Sequence, residues 1–155
     1  MILKIGDAAP EFDLPSDRPA RIRLSDYRGE KMALFFYPKD DTSACTQEAI
    51  SFNALRAKFR AASTHILGVS PDSPLSHQKF KRKHELKIAL AADEEKLAAN
   101  AYGVWREKSL YGRKYMGVVR SSFLIDAQGR IVQIWDNLRV KGHAEAVLAA
   151  VLANY

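Results

Sequence analysis

Six consecutive residues, Met32 to Tyr37 (MALFFY), are apolar, and Pro38 ends the run. A stretch this short and this uniformly apolar fits a β-strand buried on both faces, as in a sheet covered by helices. The residues behind it, Lys39-Asp40-Asp41-Thr42-Ser43, form a polar loop rich in helix-capping types. Ala49, Phe52, Leu55 and Phe59 then recur at helical spacing, which predicts one helix running to about Arg60. Strand, loop and helix therefore make one unit, with the loop at the end of a buried strand.

The rest of the chain repeats this alternation. Lys4 to Pro15 reads as extended chain with turns, and Arg21 to Leu24 as a short exposed strand. His65 to Val69 is a second buried strand, followed by a Ser70-Pro71-Asp72 turn and a helix from Pro74 to His84. A strand over Ile88–Ala91 and a helix over Glu94–Tyr102 come next, then a mixed loop from Gly103 to Gly117. Ser121–Ile125 and Ile131–Trp135 flank a hairpin connection, and an alanine-rich helix from about His143 to Ala153 closes the chain. The pattern implies an α/β fold of thioredoxin-like class: a mixed central sheet, helices on both faces and an N-terminal β extension. Residues 1–155 are expected to form one domain.

Composition narrows the function. With 155 residues, 47% of them hydrophobic, the chain can bury about 70% of its unfolded surface without staples. No apolar stretch approaches the ~20 residues of a membrane helix, and the N-terminus does not read as a secretory signal, so the cytoplasm is the expected location. Net charge is +6 and the pI about 9.5, yet the charges are spread out apart from Lys79–Lys87, which reads as a solvated helix face. Nucleic acid is not an expected partner, because no aromatic residues interleave with the basic ones. His77 and His84 could share a helix face, but nothing completes a metal-ligand set.

The chain has one cysteine, Cys45. That excludes an internal disulfide, a CxxC redox pair and a multi-thiolate zinc site. A lone cysteine is commonly an inert buried hydrophobe, but this one lies in the predicted first turn of a helix. Unpaired backbone N–H groups and the positive end of the helix dipole favour a thiolate there. A thiolate is the species that attacks peroxide oxygen. Pro38, Thr42 and Cys45 stand in the pattern P-x-x-x-T-x-x-C. The Thr42 hydroxyl can both accept from and donate to a peroxide, and Pro38 can wall the pocket without adding a donor. Each also has a plainer role that does not compete, Thr42 as a helix cap and Pro38 as a strand terminator.

With these residues in place, the chain resembles the peroxiredoxins, and within them the bacterioferritin-comigratory or Q-type group. The resemblance is carried by Gly6–Phe12 (GDAAPEF), Leu24–Gly29 (LSDYRG), Phe36–Thr46 (FYPKDDTSACT), Gly68–Ser73 (GVSPDS), Ala101–Trp105 (AYGVW), Arg120–Asp126 (RSSFLID) and Val140–Ala144 (VKGHA). It implies a peroxidatic role for Cys45, a pocket completed by Thr42 and Pro38, and an arginine, Arg120, that contacts sulfur and peroxide. It also implies that Glu48 orients that arginine without touching the peroxide itself. Without the resemblance, Arg120 reads as a surface charge at a strand end and Glu48 as an exposed helix glutamate.

The chain departs from the group where a second thiol is expected. Many members carry a cysteine five residues after the first, where this chain has Ile50, and others carry one near the position of His84. Ala44 also replaces a common glycine. The implied chemistry is a one-cysteine cycle: peroxide oxidises Cys45 to a sulfenic acid, and glutathione, glutaredoxin or thioredoxin resolves it. The group's members are often monomeric, so a monomer is expected, with a transient Cys45–Cys45 bond between two molecules as an alternative. No metal, haem or flavin is called for. The rivals are another thiol oxidoreductase, a non-catalytic holdase of the same fold, and a nucleic-acid binder using Lys79–Lys87.

Overall fold

A computed structural model describes residues 2–154. The N-terminal segment pairs two short antiparallel strands, β1 (Asp13–Leu14) and β2 (Ile22–Arg23), followed by a 3-10 turn over Leu24–Tyr27. Then come β3 (Lys31–Phe36), α1 (Ser43–Ala54), α2 (Arg56–Ala61), β4 (Thr64–Ser70), α3 (Pro74–His84), β5 (Ala89–Ala92) and α4 (Leu97–Ala101). A hairpin of β6 (Trp105–Leu110) and β7 (Arg113–Val118) precedes β8 (Ser121–Ile125), β9 (Ile131–Trp135) and α5 (His143–Asn154). The central sheet has the order β5-β4-β3-β8-β9. Its first three strands are parallel, β8 runs antiparallel to β3, and β9 runs antiparallel to β8, so β8 alone opposes the other four.

The apolar run does what its composition dictates. Because side chains alternate across a strand, Met32, Leu34 and Phe36 enter one core, with Phe12, Leu24, Tyr102 and Phe123. Ala33, Phe35 and Tyr37 enter the other, with Phe52, Phe59, Phe80 and Val147. The first core is closed by α4 and the N-terminal extension, the second by α1, α2, α3 and α5. Phe35 stacks on Phe52 at 4.7 Å between centroids, tying α1 to the sheet just beyond the turn that holds Cys45. Among the described residues, no helix is long and apolar enough to cross a membrane.

Four sequence expectations change. The helix expected to reach Arg60 breaks at Leu55 (φ −97°, ψ 2°), because the Arg56 guanidinium takes the Asn53 carbonyl and the Lys87 N–H takes its side chain. The mixed loop 103–117 is the β6–β7 hairpin, turning through Tyr111 and Gly112, both at positive φ. Its strands are largely solvent-exposed, so they carry no alternating apolar signature. The helix expected from Glu94 starts at Leu97: Lys96 is left-handed, and the Asp93 carboxylate accepts the N–H groups of Ala98 and Ala99. Finally, Ile22 and Leu24 are buried rather than exposed.

Gly68, mid-strand in β4, shows how tightly the second core is filled. A Cβ there would lie 2.7 Å from the Phe35 ring and 2.8 Å from Leu90. Gly68→Ala should cost about 1–3 kcal/mol by overpacking, read as a lower urea midpoint with the slope unchanged. An unaltered midpoint would show that the ring and the leucine can yield.

Candidate active site

The loop between β3 and α1 is positioned from the side by α3. Asp40 is buried, and its carboxylate accepts the Tyr37 hydroxyl (2.6 Å) and the Ser76 hydroxyl (2.8 Å) and meets His77 Nδ1 at 2.7 Å. The opposite ring nitrogen of His77 faces the Ala91 carbonyl at 3.0 Å. A carbonyl can only accept, so Nε2 carries a proton. The Asp40 N–H donates to Asp72, whose carboxylate also accepts the Ser70 hydroxyl. Asp41 occupies the left-handed region (φ 61°), and its carboxylate receives His84 and Lys83 from the end of α3. Those two bonds, His84 first, hold the Asp41 carboxyl below the usual range. Burial, reinforced by Asp40, raises the Tyr37 hydroxyl well above its ordinary pKa.

This anchored loop delivers Cys45 to the first turn of α1, as its third residue. The sulfur is buried: Cys45 is 2% exposed. Thr42 takes the N-cap position in extended conformation, but its hydroxyl donates to the Lys39 carbonyl at 2.9 Å and does not bond the helix N–H groups. Pro38 sits half-buried directly after β3, at the entrance of the same loop. The structure thus places Pro38, Thr42 and Cys45 on one loop-and-helix junction.

Arg120 arrives from across the sheet, between β7 and β8. Its Nη2 donates to Cys45 Sγ at 3.2 Å and its Nη1 to Glu48 Oε1 at 2.6 Å. One planar guanidinium therefore spans two residues one turn apart on α1, a task for which arginine geometry is suited and lysine is not. Neither plain expectation for these residues holds, since Glu48 is 1% exposed and the Arg120 side chain 14%. Burial raises the Glu48 pKa to about 7 against the opposing pull of Arg120. Its other oxygen, Oε2, is buried with no hydrogen-bond partner. Burial acts to lower the Arg120 pKa, but Glu48 and Cys45 outweigh it and the net direction is upward.

Sequence reasoning missed several neighbours. His143, expected at the surface or as a cap, is buried between Phe52 and Trp135, with Nε2 2.8 Å from the Ser122 hydroxyl. Burial, then the Arg120 charge, lowers its pKa to about 4. Lys108 reaches over from β6, its ammonium bonded to the Val118 carbonyl. Burial and the Arg120 charge lower its pKa, with Cys45 opposing. The only available signal for His143 was its place just behind a glycine at a helix start, which fits a cap equally well. Lys108 had none, because its hairpin was unreadable. The remaining histidines are engaged with Asp40, Asp41 and Glu30. Among the described residues, no group of three or more His, Cys, Asp or Glu could hold a metal ion.

Comparison with known proteins assigns the chain to a family. Residues 5–134 match the AhpC/TSA family. Peroxiredoxin Bcp of Bacillus subtilis is 43% identical over 148 residues, covering 96% of this chain and 94% of that protein. A cysteine-to-serine variant of Xylella fastidiosa PrxQ superposes with a TM-score of 0.93 at 35% identity, over 99% of this chain and 98% of that one. The bacterioferritin comigratory protein of Xanthomonas campestris, solved as trapped-intermediate and ligand complexes, gives 0.89 at 38% identity, over 95% and 98%. The class is that of peroxiredoxins with a thioredoxin-like fold. The chain belongs to the AhpC/TSA family, alongside the Bcp or Q-type peroxiredoxins.

The raised Glu48 pKa has a thermodynamic consequence. Between pH 4.5 and about 7 the folded state keeps a proton that the unfolded state releases, so this residue's contribution to stability is complete below pH 4.5. It is lost as pH rises through 7, up to about 3 kcal/mol in all. His143 acts in the opposite sense, losing stability as pH falls from 6.5 to about 4. Comparing Glu48→Gln with the parent cancels the histidine. Urea unfolding at pH 5 and pH 8 should show the variant gaining stability relative to the parent at the higher pH. Parallel curves would mean that Glu48 is ionised throughout.

Proposed function

We propose that the protein is a thiol peroxidase that reduces hydrogen peroxide and organic hydroperoxides through a sulfenic acid on Cys45, resolved by an external thiol. The observation that carries the reading is the Arg120 guanidinium donating to the Cys45 sulfur at the start of α1, in a chain of the AhpC/TSA family. Peroxide delivers an electrophilic oxygen, and a sulfur in the first helical turn that accepts one N–H of Arg120 is arranged to attack it. Attack in line breaks the O–O bond and leaves Cys45–SOH. The departing alkoxide or hydroxide takes up a proton to become alcohol or water. Arg120 stabilises the charge that develops on the leaving oxygen. Thr42, whose O–H is committed to Lys39, offers its lone pairs to the peroxide O–H, and Pro38 shields the pocket. Glu48 orients the guanidinium.

Resolution follows from the cysteine count. With Ile50 and His84 where thiols stand in relatives, the sulfenic acid has no partner in its own chain. An external thiol condenses with Cys45–SOH to a mixed disulfide and water, and a second thiol releases the cysteine. Glutathione, glutaredoxin or thioredoxin are the expected reductants, acting on a monomer in the cytoplasm. The alkyl-peroxide activity described for the Xanthomonas protein favours including organic hydroperoxides among the substrates.

Stepwise titration with hydrogen peroxide under a dimedone-type trap tests this cycle. Cys45 should be consumed by about one equivalent, give a trapped sulfenic acid, and recover its free thiol on adding glutathione. Cys45→Ser should consume none. Reaction no faster than free cysteine would leave the fold without this function. Rapid oxidation that glutathione, glutaredoxin and thioredoxin all fail to reverse would overturn the one-cysteine cycle alone.

A further inference from the structure

Far from Cys45, at the N-terminal ends of β4 and β5, the surface opens into a cleft of about 290 Å³. Its floor is Ile66, Ile88 and Ala89, and Tyr27 closes one side. Four cationic residues line it: Arg18, Arg56, Arg60 and Lys87. One carboxylate also lines it, Glu30, with Oε2 2.9 Å from His65 Nε2, so the cations outnumber it four to one. Among the described residues, the Arg60 and Lys87 side chains have no hydrogen bond or ion pair. Arg18 comes no closer than 3.8 Å to Asp17, whose same oxygen holds Lys81 at 2.8 Å. Arg56 spends one N–H on the Asn53 carbonyl.

Gathering like charges around one concavity opposes folding unless something neutralises them. Arg60 has a partial local excuse, since cations are favoured in the last turn of a helix. Arg56 has the reverse, being the first residue of α2. Neighbouring basic residues show the contrast: Lys81 is paired with Asp17 and Lys83 with Asp41. Arginine side chains pair with phosphate oxygens in bidentate fashion, and an aliphatic floor with one tyrosine suits an organic group. The volume lies at the small end for ligand sites, which suits a compact ligand.

We propose that this cleft binds a small phosphate-bearing ligand, a diphosphate or nucleotide-sized phosphate ester, held by Arg56, Arg60, Lys87 and Arg18. Cys45 follows the opposite end of the sheet, so the occupant leaves the peroxide pocket open.

Thermal unfolding and isothermal titration with pyrophosphate and with ADP, against sodium chloride at equal ionic strength, test the site. The expected result is saturable binding and a rise in Tm beyond that in chloride. In Arg60→Glu/Lys87→Glu, affinity should fall at least about ten-fold, while the rate of peroxide consumption by Cys45 stays unchanged. Equal affinities for the two probes would make phosphate the recognised group, and tighter ADP binding would add the floor; both support the proposal. No saturable binding beyond chloride overturns it, as does equal binding by a folded double variant.

Discussion

The site depends on one guanidinium serving two residues of the same helix. Arg120 reaches Cys45 Sγ with one arm and Glu48 with the other. For that to happen, the first turn of α1 must lie against the strand-to-strand junction that carries Arg120, and Glu48 must be buried beside it. Burying a carboxylate with one oxygen unpartnered is unfavourable in itself, as its raised pKa shows. The fold accepts that cost where it keeps an arginine fixed on a sulfur, a local destabilisation of the kind expected at functional sites.

The surrounding structure holds this arrangement from two directions. Phe35 and Phe52 lock α1 to the sheet, while Asp40 and Asp41 lock the preceding loop to α3. Asp41 adopts a left-handed backbone that non-glycine residues seldom take, and its bonds to Lys83 and His84 supply the compensation. Pro38, Thr42 and Cys45 therefore sit on a loop with little freedom to shift. On the far side, His143 is kept neutral by burial and by the Arg120 charge itself, so it adds no competing cation at neutral pH.

Much of this was legible in the residues. The uninterrupted run Met32–Tyr37 identified the central strand, because only burial on both faces tolerates it. The start of α3 followed from Pro74 in its first turn, and the structure adds Ser73 as its cap. Cys45 in a first helical turn was equally plain. What escaped was whatever depends on partners distant in sequence. Asp40 and Asp41 looked like helix caps, because apart from Tyr37 the side-chain partners of their carboxylates lie 36 to 43 residues away. Glu48 read locally as an exposed glutamate, since nothing nearby announces the arginine 72 residues on, and the family resemblance alone paired the two. The β6–β7 hairpin escaped because both its faces meet solvent.

The most direct test of the shared guanidinium is Arg120→Lys, which keeps the charge and loses the fork. Its rate with hydrogen peroxide should be compared with its rate toward iodoacetamide, an electrophile that needs no stabilised leaving oxygen. If Arg120 acts on sulfur and leaving oxygen together, the peroxide reaction falls about 100-fold or more, and alkylation changes far less. Equal losses in both reactions would reduce Arg120 to an electrostatic neighbour of the sulfur, and no loss in either would remove it from the mechanism.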